Sequence, residues 1–348
     1  MFKRFCNERK IKTSTVKGYE TTIKSYTEFH NMTIDELINE AIRDETNGID
    51  KRNRAIRNRL LSYRTFLLDT GEYTPKTIKL YLTRLKTLYN HYQVEIPVLP
   101  RLSKQDTYET NYFDLPNKEH IKQALKIADP QIKAVILFIA NSGTGLSEVA
   151  NITVYDFIQA TSEYHNIPNP SEDDIQTIID VLYNYPHEII PTFYIKRVKT
   201  SKYYYTFCTN EATRQILTIL RNKKDLCFDD LLFGLNRRKI QDRIRVINDK
   251  LNFGFKGKYR FFRPHTLRKF NASNIGLSEE HIDAIQGRSK DSVHETYIKT
   301  NPRVLRKIYM NAMDNVKINA VEDELIHHQE FNITINVMLM GSDYGISL

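Results

Sequence analysis

Residues 287–302 have the sequence GRSKDSVHETYIKTNP, in which one aromatic residue, Tyr297, stands among charged and polar side chains. No apolar run accompanies this ring, so core packing does not account for it. Because the chain contains 21 tyrosines in 348 residues, a half-buried surface tyrosine is the simplest interpretation. The rest of the chain decides between that interpretation and a chemical role for Tyr297.

The composition is that of an ordered, basic, globular protein. Hydrophobic residues make up 41% of the 348 residues, which are enough for two domains with separate cores. The net charge of +9 is typical of proteins that bind nucleic acid or an anionic membrane surface. The sequence has no apolar run of about 18 residues and no apolar leader at its N-terminus. We therefore expect a cytoplasmic, nucleoid-associated protein.

The cysteines and histidines do not indicate a metal site. Cys6, Cys208 and Cys227 are too widely spaced for a disulfide framework or a metal cluster. His327 and His328 are adjacent, which is more typical of a surface pair than of metal ligands. We expect a reduced protein that uses no metal and no cofactor.

Residues 1–95 have the periodicity of a helical domain. Capping signals and apolar spacing predict four helices, which lie over 15–30, after Thr33 with Glu36, over 51–70 and from Thr74-Pro75.

Two of these helices are rich in basic side chains and have no matching acids nearby in the sequence. The basic residues are Arg52, Arg54, Arg57, Arg59 and Arg64 in one helix, and Lys76, Lys79, Arg84 and Lys86 in the other. A single charged helix is often only a solvated surface, but two of them favour nucleic-acid binding. Phosphate contacts of this kind give affinity without sequence choice. We therefore predict that the first domain binds double-stranded DNA through these side chains.

Residues 96–116 contain three prolines without steady periodicity, which predicts an interdomain linker. Residues 117–322 combine helical patterns with two strand-like runs, FYIKRVK and YYYTFC, that a short turn joins as a hairpin. Helices are predicted from Asn117, over 132–140, after Thr209 and after Asn236. The expected fold is mostly α with a small β component, and the second domain is α+β. Residues 323–348 form a tail with strand-like alternation.

The second domain carries an ordered set of basic and nucleophilic residues: Lys199, His265, Arg268, Arg288 and Tyr297. His265 and Arg268 share one face if their segment is helical. Cations and a histidine can neutralise a phosphodiester as charge builds on its oxygens. A tyrosine can attack the phosphorus as nucleophile, and a lysine can protonate the leaving 5′ oxygen. Each residue is weak evidence alone, but the set has a consistent chemistry.

This order resembles that of the tyrosine recombinases, the phage-integrase family. The family pattern is a hairpin lysine, then H-x-L-R, then G-H followed nine residues later by the tyrosine. PHTLR at 264–268 and GRSKDSVHETY at 287–297 match it in spacing. The resemblance implies a helical core-binding domain and an α+β catalytic domain that clamp duplex DNA. It also implies a homotetramer across two recombination sites, a 3′-phosphotyrosine intermediate, and C-terminal tails exchanged between subunits.

The sequence departs from the family pattern at two positions. Arg288 stands in place of the histidine of the G-H pair, which resembles archaeal virus or provirus integrases, and we expect the change to be tolerated because an arginine can also donate to phosphate. The more serious departure is Gly145, which stands where the family's T-G-x-R-x-S-E segment has its first catalytic arginine. Glu148 and Asp156 remain in register, and no arginine occurs between Asp129 and Phe157. We expect either a natively impaired chain or an inactivating substitution in this copy, with replacement by another cation as the alternative.

Three functions follow from the sequence. The first is a site-specific recombinase or integrase with Tyr297 as nucleophile. The second is a DNA-binding protein that has the recombinase fold without its activity, which Gly145 favours. The third is a type IB topoisomerase, which uses similar chemistry, although the integrase-like first domain argues against it.

Overall fold

A computed structural model of the chain describes residues 1–100, 111–288 and 301–318. Tyr297 and the tail over 323–348 lie outside the described residues. The chain divides into two compact units, Met1–Tyr108 and Glu109–Leu348, and the division falls inside the segment predicted as a linker. Within the described parts, no helix is both long enough and apolar enough to cross a bilayer.

The first unit is helical in its described residues. Its helices are α1 (Phe2–Glu8), α2 (Thr13–His30), α3 (Ile34–Thr46), α4 (Ala55–Asp69) and α5 (Pro75–His91). Their apolar faces meet in one core, where Tyr26, Tyr63 and Tyr89 are fully or almost fully buried. The hydroxyls of Tyr26 and Tyr89 are hydrogen-bonded at 3.2 Å, so these polar tips are satisfied inside the core.

The predicted N-caps in this unit are confirmed. Thr33 and Glu36 form the capping box of α3, and Thr74 caps α5 with Pro75 at its first position. The predicted helix over 51–70 is wrong at its start, because α4 begins only at Ala55. Its first amide is held by a distant acid, since Ala55 N donates to Asp44 Oδ2 at 2.7 Å. Helix α1 was not predicted, although Phe5 anchors it fully buried in the core.

In its described residues the second unit is mostly helical with a small β component, as predicted; one of its two short hairpins was predicted and the other was not. Its helices are α6 (Lys118–Ile127), α7 (Pro130–Ser142), α8 (Leu146–Val149), α9 (Val154–Ala160), α10 (Ser162–His165), α11 (Ile175–Tyr183), α12 (Asn210–Arg221), α13 (Arg237–Lys250), α14 (Pro264–Asn274), α15 (Glu279–Ile285) and α16 (Pro302–Ala312). Short 3-10 turns lie at Tyr112–Asp114, Glu172–Asp174 and Met313–Asn315.

Helix α7 forms the centre of this unit. Asp129 caps it through the amide of Ile132 at 3.1 Å, and nearly every residue from Ile132 to Ser142 is buried. A helix that is apolar on all sides belongs in the interior, and helices α12 and α14 pack on it. Gly143 ends it in the left-handed conformation, at φ +66°.

Two antiparallel strands, β1 (Thr192–Lys196) and β2 (Tyr203–Phe207), form the predicted hairpin. Phe193 and Ile195 point into the core, whereas Tyr194 and Lys196 point outward, as the two-residue period of a strand requires. Arg197 N donates to Lys202 O at 2.7 Å, which closes a short loop over 198–201. A second hairpin joins β3 (Phe255–Lys256) to β4 (Tyr259–Arg260).

A buried carboxylate anchors the described C-terminal residues. Glu211 accepts hydrogen bonds from Asn141 Nδ2 at 3.1 Å and from Ile318 N at 2.7 Å. Tyr309 on α16 donates to Asn141 O at 3.2 Å, so the segment after α16 is tied to α7 and α12.

We expect Glu211→Ala to lower the free energy of unfolding by about 2–4 kcal/mol, because it strands the Ile318 amide without an acceptor. Glu163→Ala is the matched control, because Glu163 is half exposed and pairs with Arg306 at 2.7 Å. That loss should stay below about 1 kcal/mol. Urea denaturation measures both, and equal losses would contradict the structural role of Glu211.

Candidate active site

Helix α14 positions two of the predicted site residues. The segment PHTLRKF is helical, as expected, with Pro264 at its first position. His265 and Arg268 are three residues apart, which places them on one face. His265 reaches the solvent, whereas Arg268 is only 9% exposed.

Two backbone carbonyls hold the buried guanidinium of Arg268. Its Nη1 donates to Gly143 O at 2.8 Å, and its Nη2 donates to Gln286 O at 3.0 Å. Gly143 follows α7 and Gln286 follows α15, so one side chain joins the ends of two helices to α14. Burial lowers the pKa of Arg268 to about 10, and the charge of Arg197 contributes to the shift. The group stays charged at neutral pH.

Arg288 follows a glycine that the packing requires. Gly287 has φ +60°, and a Cβ there would lie 2.5 Å from the ring of Tyr204 on β2. The Arg288 amide donates to Asp283 O at 2.8 Å, and its side chain lies 3.6 Å from the Asp283 carboxylate. The turn thus holds the backbone of Arg288 beside the hairpin.

His265 is surrounded by positive charge. The protein partly covers the imidazole, and this loss of hydration lowers its pKa below the ordinary value. Nearby cations lower the pKa further, and these are Arg263, Lys269, Arg268 and Arg288. The predicted residues His265, Arg268 and Arg288 are therefore brought together. A concentration of cations around one imidazole is suited to binding an anion.

Gly145 is the N-cap of the short helix α8 and carries no side chain toward this cluster. A Cβ there would collide with Glu148 Oε2 and lie 3.5 Å from Arg268 Nη1. Glu148 is buried and accepts a hydrogen bond from Val198 N at 3.0 Å. Asp156 lies elsewhere and forms the capping box of α9 with Thr153. The structure therefore places Gly145, which aligns with the family's first catalytic arginine, beside the guanidinium of Arg268.

Arg197 belongs to the same cluster, and the sequence analysis missed it. Its Nη1 donates to Gln286 O at 2.8 Å, the carbonyl that Arg268 also uses. The available signal was its position: it directly follows β1 and precedes the predicted hairpin lysine by two residues. Lys199 lies in the hairpin loop, as predicted, and is exposed. Tyr297 lies outside the described residues.

Four of the nine cations predicted to bind DNA in the first unit already have protein partners. Arg54 pairs with Glu45 at 2.7 Å, and Arg59 pairs with Glu40 at 2.9 Å. Arg84 donates to Gly18 O at 2.9 Å, and Arg64 donates to Pro100 O at 2.6 Å. The expectation that these helices lack matching acids is therefore wrong for Arg54 and Arg59, because α3 supplies the acids.

The remaining five predicted cations are more accessible. Arg52, Lys76 and Lys79 are exposed, and Arg57 and Lys86 are partly exposed. Lys76 and Lys79 lie near the start of α5, three residues apart and on one face. They are the better candidates for contacts to an external phosphate.

Known proteins resemble this chain in structure but do not match it in sequence. No protein-family model matches the chain, and no curated protein matches it in sequence. A crystal structure of a lambda integrase dimer bound to a COC′ core site is similar with a TM-score of 0.54 and 13% identity, covering 85% of this chain and 92% of that chain. The structure of the Tn1549 transposon integrase in complex with a circular intermediate DNA is similar with a TM-score of 0.51 and 14% identity, and the match covers 89% of this chain and 97% of that chain.

A third similar structure is a lambda integrase tetramer bound to a Holliday junction, with a TM-score of 0.53 and 12% identity, covering 86% of this chain and 78% of that chain. At these identities the likeness concerns the fold. The chain has the fold of the tyrosine recombinases, which confirms the fold expected from the order of its motifs.

We expect Gly287→Ala to cost about 2–4 kcal/mol of stability, because it adds a clash with Tyr204 to the strain of a left-handed backbone. Gly254→Ala is the matched control, since Gly254 has φ +70° and open space around its Cβ. That substitution isolates the backbone strain and should cost about 1–2 kcal/mol. Urea denaturation of both variants tests the contact, and similar losses would argue against it.

Proposed function

We propose that this protein is a site-specific DNA recombinase or integrase that cuts and rejoins duplex DNA through Tyr297. The observation that carries the proposal is the convergence of His265, Arg268 and Arg288 within a tyrosine recombinase fold. Similar folds have been crystallised on a core site and on a Holliday junction. The proposed partners are double-stranded DNA with specific recombination sites and, on that DNA, three further copies of the chain.

The proposed reaction needs no external energy source. The Tyr297 hydroxyl attacks the phosphorus, the bond from phosphorus to the 5′ oxygen breaks, and a 3′-phosphotyrosine forms. Lys199 protonates the departing 5′ oxygen. Attack by a 5′ hydroxyl of the partner strand then restores the phosphodiester and releases Tyr297. Arg268, Arg288 and His265 stabilise the charge on the non-bridging oxygens in both steps.

We expect the protein to form an SDS-stable covalent adduct with labelled DNA, because departure of a nicked fragment traps the phosphotyrosine. The probe is a pool of nicked duplexes of random sequence, and sequencing of the captured DNA gives the preferred site. Tyr297→Phe should abolish the adduct, because it removes the attacking oxygen.

The matched control is Tyr194→Phe, because Tyr194 is exposed on the outward face of β1. An adduct that survives Tyr297→Phe would mean that another residue is the nucleophile. Relaxation of supercoiled DNA by the monomer, without site preference, would favour the topoisomerase instead.

A DNA-binding protein without catalysis is the second candidate, and Gly145 is the observation that favours it. Losing one preorganised donor to a transition-state oxyanion costs about 10² to 10³ in rate. Adduct formation distinguishes the two candidates. Both would bind duplex DNA, but only the recombinase would form a covalent adduct with it.

For DNA binding, we expect affinity to fall by about 10³-fold or more between about 50 and 200 mM salt if at least six phosphates are contacted. Lys76→Ala with Lys79→Ala should weaken binding to every duplex and reduce the salt slope by about 1.8. Lys24→Ala is a control of the same charge type, since Lys24 is exposed on α2 beside Glu28.

Fluorescence anisotropy with a short random-sequence duplex measures these affinities. Arg54→Ala should instead lower stability, because its largely covered side chain balances Glu45. A flat salt dependence, or equal effects of the Lys24 and Lys76 variants, would contradict this assignment of the surface.

A further inference from the structure

We infer that Arg197, which is partly buried, supplies the second guanidinium of the phosphate-binding site, in place of the arginine that position 145 lacks. This inference rests on the proposed recombinase function and adds a catalytic residue to it. It also gives a specific form to the alternative that another cation replaces the missing one.

The first argument is the position of Arg197 beside Arg268. Arg197 Nη1 and Arg268 Nη2 donate to the same oxygen, Gln286 O, at 2.8 and 3.0 Å. Two donors on one acceptor place the guanidinium groups side by side. Each has five N–H groups, and these bonds use only one in Arg197 and two in Arg268. The remaining N–H groups can bind the oxygens of one tetrahedral anion.

The second argument is the relation of Arg197 to Gly145. A Cβ at position 145 would lie 3.5 Å from Nη1 of Arg268, whereas Arg197 lies at the Nη2 edge of that guanidinium. The two positions are far apart in sequence but approach the same side chain from its two edges. A guanidinium delivered from the hairpin therefore adds a second cation beside Arg268, as an arginine at 145 would, but at the other edge of its guanidinium.

The third argument is that the hairpin fixes Arg197 before any anion binds. Its amide donates to Lys202 O at 2.7 Å, and its carbonyl accepts from Ser201 N at 2.8 Å. The adjacent residue Val198 is held by the buried carboxylate of Glu148 at 3.0 Å. A donor that is already in place needs no reorganisation in the transition state, which is what gives such groups their effect.

Electrostatics provides the fourth argument. The charge of the neighbouring Arg197 opposes the ionisation of Arg268 and contributes to its lowered pKa. The shared carbonyl offsets only part of this repulsion. A phosphodiester between the two groups would relieve it, and the extra negative charge of the pentacoordinate transition state would relieve it further.

The test compares Arg197→Gln with Lys196→Ala. Glutamine keeps an N–H donor for the Gln286 carbonyl but removes the charge, so it separates catalysis from support of the backbone. Lys196 is the preceding residue on β1, where its ammonium lies over the ring of Tyr203 at 5.8 Å. Lys196→Ala removes one positive charge, as Arg197→Gln does, but from the outward face of the hairpin.

The first measurement is the rate of adduct formation on nicked duplex captured from the random pool. Arg197→Gln should slow it by about 10² to 10³-fold, and Lys196→Ala should leave it within a few fold. Arg197→Lys should recover part of the rate, because an ammonium keeps the charge without the planar fork. Adding Gly145→Arg to Arg197→Gln should restore the rate by at least about tenfold, because it returns a second guanidinium to the side of Arg268.

The second measurement does not depend on DNA cleavage. Inorganic phosphate should raise the Tm of the full chain by about 2–4 °C over sodium chloride of equal ionic strength. The rise should be lost in Arg197→Gln and kept in Lys196→Ala. An unchanged cleavage rate together with an unchanged phosphate effect in folded Arg197→Gln would overturn the inference.

The two measurements also separate this inference from the proposed function. If the unmodified protein forms no adduct with any duplex but phosphate stabilises it through Arg197, the recombinase proposal fails and the two-arginine anion site stands. If the protein forms the adduct and Arg197→Gln forms it at the same rate, the recombinase proposal stands and Arg197 is not catalytic.

Discussion

The guanidinium of Arg268 is held between the carboxyl ends of two helices, α7 and α15. The last carbonyl groups of a helix have no partner within it, and the helix dipole gives that end partial negative charge. Gly143 O and Gln286 O are carbonyls of this kind, and each accepts from Arg268. A cation is costly to bury unless its donors are satisfied. The packing of these helix ends therefore makes it possible to hold a charged group inside the site.

The same carbonyls connect the site to the core. Gly143 must adopt φ +66°, and a Cβ there would collide with the side chains of Gln286 and Asn271. Those two side chains are hydrogen-bonded at 2.9 Å, and Asn271 also donates to Asn141 O at 2.7 Å. One polar network thus connects α7, α14 and α15. Because buried networks of this kind are costly when partly broken, a change that moves Arg268 also disturbs the packing of α7.

Local signals in the sequence predicted local structure. The N-caps predicted at Thr33, Thr74 and Asn117 are all found, and the helix predicted after Asn236 begins there, because a cap is a contact between residues close in sequence. The start of α4 could not be predicted in this way, since its first amide donates to Asp44 of another helix. The pairing of Arg59 with Glu40 is equally non-local. A count of basic residues along one helix contains no information about the acids that the fold brings to it.

In the candidate site, too, a contact between residues distant in sequence could not be predicted from the sequence. A sequence motif specifies which residue in the chain carries a charge, whereas a phosphodiester responds to where that charge lies. Gly145 breaks the motif, yet the hairpin brings Arg197 to the carbonyl that Arg268 uses. Alternation along the strand then distinguishes Arg197 from its neighbour, because successive side chains point to opposite faces. Lys196 lies over Tyr203 on the outward face, so only one of two adjacent cations can take part in the cluster.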